Sequence, residues 1–173
     1  TQTSGGNPEL EIYGSDNIVP LLETTVEQNT LAIKYKKNTR IRNTGKLEVR
    51  VSAPNVESMK ITGSGDISIP KGMSSSALTL KVTGSGDING KKIKCNELGI
   101  SVSGSGDIKL TEVKSTTINV NVSGLGDIEL EGTTINANYQ VAGAGDVNAQ
   151  KLIADNVKAV VSGAGDITCH ASK

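Results

Sequence analysis

The sequence predicts an all-β fold, a right-handed parallel β-helix with coils of about twenty residues, and three observations carry that expectation. First, Gly-x-Gly-Asp-Ile/Val occurs six times, with aspartates at 66, 87, 107, 127, 146 and 166 separated by 21, 20, 20, 19 and 20 residues. A fixed period of this size marks a solenoid, in which each unit buries its apolar face against the next. Second, apolar residues alternate on both sides of each motif. Around Asp107 they are Leu98, Ile100 and Val102 before it, then Ile108, Leu110 and Val113 after it. Period-two patterning around a glycine corner reads as strand, corner, strand. Third, no helical period competes after residue 58.

The glycine pairs of the motif are Gly63 and Gly65 before Asp66, Gly84 and Gly86 before Asp87, and Gly104 and Gly106 before Asp107. They continue as Gly124 and Gly126 before Asp127, Gly143 and Gly145 before Asp146, and Gly163 and Gly165 before Asp166. Glycine at a coil corner permits positive φ and close approach of one backbone to the next. The 21- and 19-residue spacings place an extra residue within Lys71 to Ser76 and a missing one within Glu131 to Thr134. Thr133 takes the inward place that Val113 holds one coil earlier.

Three segments divide the chain: a polar tether at 1–8, N-terminal β coils or a cap at 9–58, and the regular β-helix at 59–173. Within the second, Leu10–Tyr13, Leu31–Tyr35 and Leu47–Val51 alternate, Lys36 to Asn38 reads as a turn, and Gly14 to Ile18 resembles a decayed motif copy. An open solenoid needs its ends covered, so this part is expected to supply the first of roughly eight coils and a cap. The chain ends seven residues after Asp166, before another inward strand. Either the sequence is cut short there or the bare edge meets a partner, such as a second copy of the chain.

Composition narrows the function. The 173 residues contain no Phe or Trp and three Tyr, so the core must be Ile, Val, Leu and Ala. Acidic and basic residues number 18 each, seven of each through Ser58 and eleven of each afterwards. With no basic stripe and few aromatics, nucleic-acid binding is not expected. No apolar run approaches the ~20 residues of a membrane helix.

The Gly-Ser-Gly-Asp-Ile copies, together with the Val51 to Pro54 segment leading towards Met59-Lys60-Ile61-Thr62-Gly63, are similar to one known family. The chain resembles the auto-transporter adhesin, head GIN domain family, mainly secreted or lipid-anchored envelope proteins of Bacteroidetes-type bacteria. The resemblance runs from about Leu10 to Lys173. It implies a right-handed β-helix outside the cytoplasm, in the cell envelope, with an adhesion role. It brings no catalytic residues and no cofactor. Leu125, Ala144 and Ala164 depart from the family's middle Ser, and the chain ends where relatives continue through another coil.

The repeated aspartate has two readings. As a structural turn residue it accepts backbone N–H bonds, each worth about 1.5–3 kcal/mol for a charged acceptor. That exceeds the roughly 0.8 kcal/mol of repulsion between carboxylates ~5 Å apart in water. The second reading is a calcium ladder along Asp66, Asp87, Asp107, Asp127, Asp146 and Asp166. One acid per coil is a poor source of the six to eight oxygens calcium takes, so the turn role is preferred. Phosphate cradling fails because no third glycine at the fingerprint spacing, no helix and no Gly-Lys-Ser/Thr follows.

His170, the lone histidine, reads as a surface residue, with no second His for zinc. Cys169 takes an inward place and reads as core, Cys95 as a loop thiol, and they stand too far apart to bridge. Lys91, Lys92 and Lys94, like Lys34, Lys36 and Lys37, read as solvated turns, with a basic spot for anionic glycans as the alternative. Ser101, Ser103, Asn119, Asn121, Ser123, Asn136 and Asn138 form a neutral outward face that can bind extended glycans or peptides.

The expected function is therefore non-enzymatic recognition or adhesion at the cell envelope. Its partner would be a glycan or a host or envelope surface component, and its only membrane link a lipid anchor upstream of Thr1. One rival is a pectinase-like enzyme, which needs clustered acids and a basic residue at a walled cleft. The coils carry no long loops to wall one, and Arg40, Arg42 and Arg50 all lie in the N-terminal part. The other rival is a structural spacer.

Overall fold

A computed structural model describes residues 7–39 and 47–172. The first six residues of the tether, and Arg40 and Arg42, lie outside the described residues. The chain divides into two compact units, residues 7–53 and 54–172.

The larger unit is a parallel β-solenoid. Its strands are β5 (Ser58–Ile61), β6 (Ile67–Ile69), β7 (Met73–Val82), β8 (Ile88–Lys91), β9 (Ile93–Val102) and β10 (Ile108–Lys114), then β11 (Thr117–Val122), β12 (Ile128–Val141), β13 (Val147–Val161) and β14 (Ile167–Ala171). They follow four strands of the smaller unit, β1 (Glu9–Tyr13), β2 (Leu22–Glu27), β3 (Thr30–Tyr35) and β4 (Glu48–Ser52). Every pairing from β5 onward is parallel, and the register stacks like positions of the repeat. Leu98 lies beside Leu78 and Ile118, and Ile108 lies beside Ile88 and Ile128. The interior is made of such rows of branched aliphatics, nearly all fully buried. Each coil thus covers an apolar layer that it could not bury alone.

One layer departs from this pattern. Tyr139 occupies the row of Ile100 and Val120 and is buried, with Ala159 beside it in register and Ala137 and Ala149 buried nearby in sequence. Small neighbours leave volume for the ring. Burial pushes the Tyr139 hydroxyl far above its ordinary pKa, and that oxygen has no hydrogen-bond partner among the described residues.

The spacing irregularities fall at a second corner. Ile69 pairs with Gly90 and Met73 with Ile93, so the extra residue lies within 70–72, where Gly72 has φ +81°. Later coils place Lys92 and Glu112 at this corner with φ 57° and 55°. In the short coil Gly132, not Thr133, sits beside Val113. Thr133 is exposed and Thr134 is buried instead. The deletion shifts the count from Asp127 by one place, while the rows keep their faces: exposed Thr133 lies beside exposed Lys114, and buried Ala137 beside buried Ile118.

The N-terminal segments differ from the sequence expectation of first coils. β1 pairs with β4 and β2 with β3, both antiparallel. Gln28 and Asn29 join β2 to β3 as a two-residue turn with both φ positive, 47° and 60°, the geometry that matches hairpin twist. Residues 14–17 form a turn into a short 3-10 segment at Val19–Leu21, closed by Ile18 N–H donating to the Ser15 carbonyl, rather than a stacked corner. The solenoid accordingly has six stacked motif corners, fewer than the eight coils expected.

Candidate functional site

The motif corners form one continuous column. Along it the N–H of Ser85, Ser105, Leu125, Ala144 and Ala164 donates to the first motif glycine carbonyl one coil earlier, at 2.9–3.0 Å. The N–H after each aspartate then donates forward to the next coil's aspartate carbonyl: Ile67 to Asp87, Ile88 to Asp107, and so on to Val147 with Asp166. Between these two backbone bonds lies the aspartate's own N–H. Its acceptor is a side chain, the carboxylate of the preceding coil's aspartate. Asp87, Asp107, Asp127, Asp146 and Asp166 donate to Asp66, Asp87, Asp107, Asp127 and Asp146 in turn, at 2.7–2.9 Å. The carboxylate therefore ties one coil to the next instead of closing its own turn. It supplies an acceptor where the bend takes the backbone carbonyl out of reach.

The glycines answer to the same stacking. None of the twelve motif glycines has positive φ; among the described glycines only Gly72 and Gly132 do. Their requirement is close approach. A Cβ on Gly84, Gly86, Gly104, Gly106, Gly124, Gly126, Gly143, Gly145, Gly163 or Gly165 would overlap the carbonyl oxygen of the matching glycine one coil earlier. A Cβ on Gly63 or Gly65, at the first corner, would meet nothing among the described residues.

Two surface grooves flank the coils. One runs beside the aspartate column and is lined by Asp87, Asp107, Asp127 and Asp146 with the row Asn89, Lys109, Glu129 and Asn148. Lys109 donates to Glu129 at 2.5 Å and holds that carboxyl below its ordinary pKa. Among the described residues no three His, Cys, Asp or Glu side chains gather as a metal site.

The second groove, about 550 Å³, lies at the other bend, where Lys94 and Lys114 stand among Ser75, Asn96, Ser115 and Thr116. A switch in the ladder falls within its lining. Ser115 N–H reaches forward to the Thr133 carbonyl, whereas Thr116 N–H reaches back to Asn96 at 3.0 Å. β10 ends and β11 begins around that switch. On the face formed by β9, β11, β12 and β13, amide side chains stack in register. Asn138 donates to Asn119 at 2.9 Å and Asn156 to Asn136 at 3.1 Å.

The remaining candidates are rearranged. Cys95 is buried and Cys169 exposed, the reverse of the sequence reading. Cys95 lies two places beyond Ile93, on the inward phase of β9, and burial raises its thiol pKa. Cys169 lies beside buried Ala149, but no described coil covers it. His170 is exposed, opposite Ile153. Lys91 is ion-paired with Glu112 at 3.1 Å. Sequence reasoning passed over Lys114, which register alone places beside Lys94, and Asn156, which it places beside Asn136.

Fold and surface together define a parallel β-solenoid whose surface rows are built from the stacked repeat. The chain belongs to the family described as "Putative auto-transporter adhesin, head GIN domain", whose model matches residues 1–111 and again 91–173. It is a cell-envelope β-solenoid protein of the adhesin-like kind. Solved structures share the architecture. One from Parabacteroides distasonis, named a putative lipid binding protein, is 24% identical with a TM-score of 0.89, over 99% of this chain and 73% of that one. A putative adhesin from Bacteroides fragilis is 24% identical with a TM-score of 0.78, over 96% and 84%. Another from Parabacteroides distasonis is 19% identical with a TM-score of 0.90, over 98% and 72%. At these identities the likeness establishes the fold. A search of curated proteins finds no match.

Proposed function

We propose that this protein is a non-enzymatic recognition module of the cell envelope, which engages an extended, hydrogen-bonding ligand such as a glycan along its coils. The supporting observation is the stacked amide face, on which Asn119 bonds Asn138 and Asn136 bonds Asn156 one coil apart. Strands of a sheet repeat about every 4.8 Å, so this face offers a linear polymer donors and acceptors at regular intervals. Amides present both, which suits sugar hydroxyls. On this reading membrane attachment is through a lipid anchor upstream of Thr1; no helix among the described residues is long and apolar enough to cross a membrane.

The test is a glycan and polysaccharide array probed with and without calcium, with released products followed by chromatography. Saturable binding without new reducing ends is the expected result. Product release would overturn the non-enzymatic reading, and calcium-dependent binding would assign the aspartate column a metal. Silence across the array would overturn glycan recognition.

A further inference from the structure

We infer that the groove holding Lys94 and Lys114 is a binding site for an anionic sugar, with the two ammonium groups clamping one sulfate or carboxylate. This rests on the recognition reading above and gives it a ligand class and a location distinct from the amide face.

The argument begins with charge placement. Lys94 and Lys114 are register partners on adjacent parallel strands, so their backbones lie about 5 Å apart and their charges repel. Several other stacked positions compensate their charge, Lys109 with Glu129, Lys91 with Glu112 and Glu131 beside Lys151, and the stacked aspartates are tied by backbone N–H donors. In this groove neither lysine has an ion pair, and no carboxylate lines it among the described residues. An anion between the two would relieve the repulsion that the fold itself leaves uncompensated.

The surroundings fit a sugar rather than a bare ion. Asn96 and Thr116 add neutral donors and acceptors at the groove wall, and the Ser115 hydroxyl donates to Thr134 while its lone pairs can still accept. The groove crosses three successive coils, from Ser75 through Lys94 to Lys114, a span of about 10 Å that takes roughly two sugar rings. Ser115 and Thr116, where the ladder switches, belong to its lining and are held by backbone hydrogen bonds to the neighbouring coils.

A built-in control exists. Lys60 and Lys81 are also stacked register partners, both exposed, on a different row of the solenoid. Lys94→Gln/Lys114→Gln and Lys60→Gln/Lys81→Gln remove the same charge, so nonspecific attraction to polyanions would weaken equally in both. Calorimetric titration would use chondroitin sulfate oligosaccharides, oligogalacturonate, neutral cello-oligosaccharides and vesicles containing phosphatidylglycerol, with thermal melts confirming that each variant folds. The expected result is saturable binding of an acidic oligosaccharide, weakened about tenfold in the first variant and less than about twofold in the second. Binding of the sulfated but not the uronate chain, or the reverse, identifies the group held. Equal weakening in both variants, or binding to vesicles alone, would overturn the site. Binding of neutral but not acidic sugars would remove the groove and leave the recognition reading standing, whereas silence toward every sugar would remove both.

Discussion

The two units of this chain use the same strand-forming residues and reach opposite pairings. Leu31 to Tyr35 alternates as clearly as Leu78 to Val82, yet β3 is one arm of an antiparallel hairpin and β7 one rung of a parallel stack. Local patterning is therefore not what separates them. The connection is. Gln28 and Asn29 reverse the chain in two residues, whereas a motif corner bends it and lets it arrive back one coil higher. In the hairpin the special backbone lies in left-handed φ. At the motif corners it lies in the absence of a side chain, where the next coil presses close. The units also differ in burial, with aliphatic rows fully enclosed in the solenoid and Ile18 the only buried hydrophobic residue described in the N-terminal unit.

The largest test of this contrast is Gly106→Ala. Its Cβ would overlap the Gly86 carbonyl, and relieving that by parting the coils should cost about 3 kcal/mol or more. Gly65→Ala, at a corner where nothing stands in the way, should change stability by less than about 0.5 kcal/mol. Chemical denaturation of the pair measures the difference, and equal costs would show that coil contact is not what selects glycine.

Next in size is Asp107→Ala, which leaves the Asp127 N–H without its acceptor and should cost about 1.5–3 kcal/mol. Asp107→Asn keeps an oxygen in place and removes repulsion from both neighbours, so its cost should stay below about 1 kcal/mol. Thermal melts that rank the two the other way would sink the coil-to-coil role of the carboxylate.

In the hairpin, Asn29→Ala should cost about 1 kcal/mol, because a Cβ without a local hydrogen bond disfavours φ near 60°, while Asn29→Gly should be nearly neutral. Hydrogen exchange of the β2 and β3 amides reads this directly. Fast exchange confined to those strands is expected, with the solenoid amides unchanged.

The smallest effect belongs to Glu129→Gln. The Lys109 partner lowers the folded pKa of Glu129, so its contribution is present above the ordinary carboxylate range and disappears as pH falls through the lowered value. Because the pair is exposed, the loss at neutral pH should be a few tenths of a kcal/mol. A pH series of melts should find wild type and variant converging in acid.

Much of the solenoid is legible along the chain because its rules are local. The aspartate period, the inward phase of Ile88, Ile108 and Ile128, and the sites of the spacing changes are all properties of short segments. The candidate surface is less so. Lys94 is visible as part of a charge cluster, but Lys114 joins it only through a register set by strands twenty residues apart. In the sequence Cys95 reads as loop because it follows a corner, and Cys169 reads as core because its phase is inward. Burial depends on what stacks above and below, which phase alone does not report.

By itself the sequence determines the repeat, the coil length and the alternation of inside with outside, since backbone geometry makes each strand two-sided wherever it pairs. Tertiary structure decides the rest. It makes the glycines necessary through contact rather than φ, sends each aspartate's bond to the next coil, turns the N-terminal strands antiparallel and brings Lys94 and Lys114 into one groove. Each of these depends on a neighbour that is distant along the chain and becomes adjacent only when the coils close on one another.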